Sequence, residues 1–212
     1  MDRTAGIVLA GGRSARMGRA KIELPWNGRP LLALVVEVVA IAVDGPVVLV
    51  RAPGQVLPTL PAGVEVVEDA RPARGPLEGM AAGLRAVEGR AAAVFLSAAD
   101  VPFLVPELVH RLLGAFDGEA EAAVPVVGGQ SYPLSAAYRL DVLPTVERRL
   151  AQNELRMRAL LDDLDVRWLD ECTLLSDPAL HAADPKLDSL RNVNTPAEYE
   201  EALAYANAIR SG

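Results

Sequence analysis

Short apolar runs alternate with longer helix-like segments along most of the chain. The first run, residues 6–10, stops at paired glycines, which is typical of a strand buried on both faces. The longest, residues 31–43, follows Pro30 and predicts a buried helix. Further strands are predicted at residues 46–50, 64–67, 92–98, 122–127, 134–138 and 166–169. Further helices are predicted at residues 77–87, 106–113, 142–152, 156–163 and 196–209.

Strands that alternate with helices in this order predict the α/β class, with a Rossmann-like, doubly wound, mostly parallel sheet and helices on both faces. A sheet of this kind binds its ligands beyond the carboxyl ends of its strands. The length of 212 residues suits one large domain, so we expect a single domain over residues 1–212. Within it, residues 118–169 look like an elaboration of the sheet, and residues 172–193 look like an irregular connection.

Composition argues against several kinds of binding partner: membranes, nucleic acids and zinc. The apolar segment 31–43 contains Glu37 and falls short of the roughly 20 residues that span a bilayer, and the N-terminus shows no targeting pattern. We therefore expect a cytoplasmic protein without a membrane partner. The net charge of -7 argues against nucleic acid as a ligand. With one cysteine and two histidines, an internal disulfide is excluded and a zinc site is disfavoured, so any metal should have oxygen ligands.

The segment after the first strand is locally basic in this acidic chain. Between Gly11 and Ile22 there are four cations and no carboxylate: Arg13, Arg16, Arg19 and Lys21. The paired glycines Gly11 and Gly12 let the backbone turn and present N–H groups to phosphate oxygens. Arg16 and Lys21 would offset the charge that develops on a phosphate during transfer. The alternative is a Gly/Arg surface loop, since the spacing matches neither a Walker A loop nor the dinucleotide fingerprint.

A carboxylate follows the predicted strand 92–98. Asp100 lies just before Val101 and Pro102, and the proline favours an extended predecessor. In a parallel sheet this places Asp100 at the same edge as the glycine loop, where it would hold Mg²⁺ against bound phosphates. The alternative is an aspartate that only starts a turn.

Two asparagines precede the closing helix. Asn192 and Asn194 are two residues apart in a segment that should be extended, so their amides should point to the same side and could jointly bind a polar acceptor or its phosphate. Thr195 and Glu198 form a capping box for the helix that follows. The alternative is that both amides only hold this helix in place.

The motifs together resemble the molybdenum cofactor guanylyltransferase family, also called the molybdopterin-guanine dinucleotide biosynthesis protein A family. The resemblance covers nearly the whole chain except residues 172–190. It rests on segments in the family's order, at residues 9–21, 75–80, 100–103, 131–134 and 192–196. It implies a single nucleotidyltransferase domain that transfers GMP from GTP to the terminal phosphate of molybdopterin or molybdenum-molybdopterin and releases pyrophosphate with Mg²⁺. An upstream molybdenum-insertion protein is then a possible partner.

The resemblance also implies roles for single residues. Nucleotide contacts fall on Leu9, Ala10, Gly11, Gly12, Lys21, Asp69 and Asp100. Asp100 would bind the metal, and Asp69 would contact the nucleoside. One departure concerns residues 49–53, which lack the asparagine that the family often places after the second strand. The paired glycines Gly11 and Gly12 favour GTP, because relatives that use CTP more often resemble Leu-Ala-Ala-Gly at residues 9–12.

Other functions stay open on the sequence alone. Within enzymes, the alternatives are cytidylyl transfer to the same acceptor, or uridylyl or guanylyl transfer to a sugar phosphate or phospholactate. A non-catalytic nucleotide-binding module is the alternative outside enzymes, although such a module would not need both Lys21 and Asp100. Arg71 and Arg74 would either contact the anionic acceptor or lie in solvent.

Overall fold

The computed structural model describes residues 3–10, 24–69, 71, 74–116 and 118–211. The strands are β1 Thr4–Leu9, β2 Pro25–Trp26, β3 Arg29–Pro30, β4 Val47–Arg51, β5 Val64–Glu68, β6 Ala93–Ala98, β7 Ala122–Val127, β8 Gln130–Ser131, β9 Ser135–Arg139 and β10 Val166–Asp170. The helices are α1 Leu31–Ala42, α2 Pro76–Ala86, α3 Pro106–Leu113, α4 Leu143–Ala151, α5 Met157–Leu161, α6 Glu171–Leu175, α7 Pro178–Ala183 and α8 Pro196–Ser211.

The central sheet is mixed and mostly parallel. Its strand order is β10-β7-β9-β6-β1-β4-β5, and β8 pairs with β7 at one end. Along this path β9 is antiparallel to both of its neighbours, whereas β6, β1, β4 and β5 run parallel to one another. The parallel half reproduces the strand order of a Rossmann-like fold. The predicted fold class is therefore confirmed.

Each face of the sheet carries its own hydrophobic core. Val8 points to a core built with α1, α3 and α8, while Ile7 points to the opposite core, built with α2, α4 and α5. Because successive strand residues face opposite sides, one uninterrupted apolar strand supplies both cores. This is why the first apolar run of the chain predicts a central strand.

Helices approach β1 closely from both sides. A Cβ atom on Gly6 would lie 2.2 Å from Cγ1 of Val39 in α1. On the other face, a Cβ atom on Gly83 of α2 would lie 2.5 Å from Cγ2 of Ile7. Neither position has room for a side chain, so these glycines set the distance between the helices and the strand.

The expected irregular connection at residues 172–193 is wrong, because this segment contains α7 and the greater part of α6. Asp170 caps α6 by accepting a hydrogen bond from the N–H of Thr173 at 2.8 Å. Asp177 caps α7 by accepting the N–H of Ala179 at 2.9 Å. Helices of five and six residues are too short to show a hydrophobic period, and only their caps signal them. None of the helices in the described ranges is long and apolar enough to cross a membrane.

Candidate functional site

Along the chain, β4 and β5 extend the sheet on one side of β1, and β6 then pairs with β1 on its other side. Leu9 is in register with Ala98, and the N–H of Ala99 donates to the carbonyl oxygen of Leu9 at 3.2 Å. Asp100 therefore lies beside the carboxyl end of β1, where the predicted phosphate loop begins. This is the topological switch point at which sheets of this class bind ligands. Gly11, Gly12, Arg16 and Lys21 lie outside the described residues.

The last residues before the loop are held by the sheet. The side chains of Leu9 and Ala10 are buried in opposite cores. The N–H of Ala10 donates to the carbonyl oxygen of Val50 at 2.9 Å, and its carbonyl oxygen accepts a hydrogen bond from Nε2 of Gln55 at 3.1 Å. The entry to the predicted phosphate loop thus has a defined position, set by groups of β4 and of the turn that follows it.

Gln55 is a residue that the sequence analysis missed. Besides binding Ala10, its Oε1 accepts the N–H of Ala52 at 2.9 Å, and its carbonyl oxygen accepts a hydrogen bond from Nη1 of Arg51 at 3.0 Å. Arg51 in turn pairs with Glu68 at 2.9 Å. The amide therefore joins the turn after β4 to the end of β1. A single glutamine in a turn belongs to no periodic pattern or motif of the sequence that would have indicated this contact.

Asp69 follows β5 at the same edge of the sheet. Its N–H donates to the carbonyl oxygen of Arg51 at 2.8 Å, and its Oδ1 accepts the N–H of Arg71 at 3.0 Å. β4 and β1 lie between the strand ends that carry Asp69 and Asp100. With neighbouring strands about 4.8 Å apart, these strand ends are roughly 14 Å apart. A nucleotide that contacts both residues must lie across the ends of β4 and β1.

The predicted acceptor segment lies directly against the Asp100 turn. The N–H of Val193 donates to the carbonyl oxygen of Asp100 at 2.9 Å. Val193 is fully buried, whereas Asn192 and Asn194 on either side are exposed. This alternation agrees with an extended segment in which both asparagine side chains face away from the core. Their role in binding the acceptor stays a prediction.

The capping box of the closing helix is confirmed. The N–H of Glu198 donates to Oγ1 of Thr195 at 3.2 Å, and Oε2 of Glu198 accepts the N–H of Thr195 at 3.3 Å. The same carboxylate oxygen accepts the N–H of Asn194 at 2.6 Å. The helix begins at Pro196, as expected. The backbone of the acceptor segment is therefore anchored on both sides, by Asp100 and by Glu198.

The segment 131–134 reaches the same edge of the sheet. The carbonyl oxygen of Leu134 accepts the N–H of Ala98 at 3.0 Å, next to the Asp100 turn. Tyr132 is held by its N–H, which donates to the carbonyl oxygen of Pro125 at 3.0 Å. The carboxyl end of β1, the segment 131–134 and the segment 192–194 are distant in the sequence and thus meet around the end of β6.

Arg74 is partly buried against other parts of the protein rather than in open solvent. Its Nη2 donates to the carbonyl oxygen of Leu150 at 2.8 Å and to Oδ1 of Asn153 at 3.2 Å. Its Nε lies 3.7 Å from Oε2 of the buried Glu78. Arg74 therefore joins the start of α2 to the turn after α4. Arg71 is exposed.

The carboxylate of Asp100 suits a hard cation. Its oxygens are the type of ligand that Mg²⁺ prefers, and Mg²⁺ usually takes one or two carboxylates together with substrate phosphates and water. In the described part of the chain, no three His, Cys, Asp or Glu residues gather as a metal cage.

Comparison with known proteins adds independent evidence. The family described as the MobA-like NTP transferase domain matches residues 6–168. A probable molybdenum cofactor guanylyltransferase of Mycobacterium avium is 38% identical over 208 residues, 96% of each chain. Another, from Mycobacterium tuberculosis, is 42% identical over 165 residues, covering 76% of this chain and 80% of the relative. The fold matches molybdopterin-guanine dinucleotide biosynthesis protein A from Archaeoglobus fulgidus with a TM-score of 0.75 at 22% identity, covering 96% of this chain and 99% of that chain.

Proposed function

Since this chain belongs to the MobA-like NTP transferase family and is an enzyme of the molybdenum cofactor guanylyltransferase type, we propose that it transfers GMP from GTP to the terminal phosphate of molybdopterin. The products are the guanine dinucleotide form of the cofactor and pyrophosphate. The observation that carries the proposal is the position of Asp100 beside the carboxyl end of β1, at the topological switch point. The relatives that cover most of the chain support GTP and molybdopterin as its substrates.

The reaction needs no nucleophile from the protein. An oxygen of the acceptor's terminal phosphate forms a bond to the α-phosphorus of GTP, and the bond from that phosphorus to the bridging oxygen of the β-phosphate breaks. The electron pair leaves with pyrophosphate, so atoms and charge balance. A phosphate monoester is largely ionised near neutral pH, which makes a general base unnecessary. Catalysis then consists of positioning the two phosphates and stabilising their charge.

The residues that the structure describes fall into two groups, one for the nucleotide and its metal and one for the acceptor. Asp100 would hold Mg²⁺, which would neutralise charge on the triphosphate when bound. Asp69 would contact the nucleoside. Leu9 and Ala10, where β1 ends, would position the loop that follows. The amides of Asn192 and Asn194 would bind the acceptor.

The glycine loop would supply the remaining contacts. Gly11 and Gly12 would present backbone N–H groups to the phosphates. Arg16 and Lys21 would stabilise the charge that moves onto pyrophosphate as it leaves. We assign the whole of residues 1–212 to one nucleotidyltransferase domain that works in the cytoplasm, with an upstream molybdenum-insertion protein as a partner.

The test compares two nucleotides in parallel. The purified protein is incubated with Mg²⁺ and molybdopterin and with either GTP or CTP labelled at the α-phosphate. We expect labelled dinucleotide and pyrophosphate from GTP only when the acceptor is present, and no product in EDTA. Product from CTP instead would identify a cytidylyltransferase. Binding of GTP without release of pyrophosphate under any condition would identify a non-catalytic module.

A further inference from the structure

Ser189 is a fully buried polar residue between the two segments that carry the proposed metal and acceptor residues. Its hydroxyl donates to the carbonyl oxygen of Phe103 at 3.0 Å and accepts the N–H of Val105 at 3.1 Å. Both partners belong to the backbone of the turn that follows Asp100. A buried hydroxyl that satisfies a backbone acceptor and a backbone donor defines where that backbone lies.

Asp184 holds Ser189 in place. This carboxylate is 5% exposed, and its two oxygens accept separate backbone hydrogen bonds, from the N–H of Asp188 at 2.8 Å and from the N–H of Ser189 at 2.9 Å. Between them, Leu187 has a φ of 55°, a conformation that leucine rarely adopts. The turn that carries Ser189 is thus specified by a buried carboxylate and by the buried side chain of Leu187.

The contacts run in antiparallel order along the two segments. Ser189 binds the backbone of Phe103 and Val105, and four residues later Val193 binds the carbonyl oxygen of Asp100, three residues before Phe103. The chain from Ser189 to Val193 therefore lies alongside the chain from Asp100 to Val105. A shift of one segment would shift the other.

We propose that Asp184 and Ser189, together termed the buried clasp, are positioning residues that set the carboxylate of Asp100 and the amides of Asn192 and Asn194 at a fixed separation. The assignment rests on the proposed function of those three residues. The clasp touches neither substrate, and it acts through the backbone of the Asp100 turn. Misplacement of reacting groups by about 1 Å can cost roughly 100-fold in rate, so such a device affects turnover more than nucleotide binding.

Two variants and one matched control test the clasp. Ser189→Ala removes both hydrogen bonds to the Asp100 turn, and Asp184→Asn, which keeps the shape of the side chain, removes one acceptor for the turn that holds Ser189. Asp177→Ala removes the cap of α7, in the same part of the chain, where the carboxylate accepts the N–H groups of Ala179 and Leu180 of that helix. For each protein we would measure kcat, the KM values for GTP and molybdopterin, the Mg²⁺ dependence, the melting temperature and the hydrogen exchange of the Val193 amide.

We expect kcat to be about 10- to 100-fold lower in both clasp variants, with little change in the KM for GTP. Both variants should need more Mg²⁺ for activity, and the hydrogen of their Val193 amide should exchange faster. Asp177→Ala should lower the melting temperature but keep kcat and the Mg²⁺ dependence. If the clasp variants lose only thermal stability, as the control does, the positioning role is overturned. Unchanged exchange at Val193 would overturn it as well.

The exchange measurement also separates this proposal from the proposed function. If the wild-type protein transfers no GMP, the proposed function fails on that result alone. The clasp is then judged on the Val193 amide and on the extent to which Mg²⁺ strengthens GTP binding, neither of which needs turnover. Should Ser189→Ala fail to fold, Asp184→Asn decides between the outcomes.

Discussion

The backbone N–H of Val193 donates a hydrogen bond to the carbonyl oxygen of Asp100 at 2.9 Å. This one contact joins the segment of the proposed metal ligand to the segment of the proposed acceptor amides. It uses backbone atoms only, so a substitution of the Asp100 side chain leaves both atoms of this hydrogen bond in place. Substitutions that change only the side chains of Asp100, Asn192 or Asn194 therefore keep this link between the two segments.

Asp100→Asn should abolish Mg²⁺-dependent transfer, with a loss of at least about 100-fold in kcat, because the metal loses its charged ligand. The melting temperature should change little, since the carbonyl oxygen still accepts the N–H of Val193. Asp162→Asn, the same substitution at an exposed residue after α5, is the control and should keep full activity. A near wild-type rate for Asp100→Asn would remove Asp100 from the metal site.

Lys21→Ala should weaken triphosphate binding and slow transfer, because a point charge near the phosphates is lost. Titration calorimetry with GTP measures the first effect and pyrophosphate release the second. Arg158→Ala is the control, since Arg158 is an exposed cation in α5. If both variants bind GTP as the wild type does, Lys21 plays no part in binding the nucleotide.

Asn194→Ala should raise the KM for molybdopterin with little change in melting temperature or in GTP affinity. Its neighbour Thr195→Ala should do the opposite and cost about 0.5–2 kcal/mol of unfolding free energy, because the cap of α8 loses its hydroxyl acceptor. Steady-state kinetics and urea unfolding separate the two effects. Equal losses of stability, with acceptor binding preserved in Asn194→Ala, would reduce this segment to an anchor for the helix.

Gly83→Ala should lower the free energy of unfolding by about 1–3 kcal/mol, because the added Cβ would lie 2.5 Å from Cγ2 of Ile7. Ile7 is branched at Cβ and cannot easily turn this atom away. Ile7→Ala removes the obstacle, so the double variant should be more stable than the sum of the two single effects predicts. Strict additivity in urea unfolding would show that α2 moves away from β1 instead.

Acid should remove the stabilisation that Asp163 provides. Hydrogen bonds from Arg149 and Arg148 lower the pKa of Asp163 to about 2. The unfolded value is about 3.9, so this contribution is fully present above about pH 5 and is lost as the pH falls toward the folded pKa. Asp163→Asn should therefore lower the melting temperature at neutral pH, and its difference from the wild type should shrink between about pH 5 and pH 2. A difference that is constant with pH would show that the carboxylate charge does not stabilise the fold.

Much of the fold could be predicted because it depends on local patterns. An apolar strand before paired glycines, a proline before α1 and the capping box at Thr195 each act over a few residues, and the structure shows β1, α1 and α8 where these patterns predicted them. The resemblance of the motifs to a known family was confirmed by the relatives. The roles of the glycine-loop residues stay predictions.

The sequence by itself determined the strands of five and six residues, most of the helices and the edge of the sheet to which Asp100 belongs, because apolar periodicity and strand order are properties of the chain. The two-residue strands β2, β3 and β8 carry no such pattern. Only the tertiary structure decided which distant backbone groups meet there. Gln55 binds Ala10 across 45 residues, and Ser189 binds Phe103 across 86. Such contacts depend on how packed helices and strands bring turns together, and a single polar residue in a turn carries no periodic signal that would announce its partner.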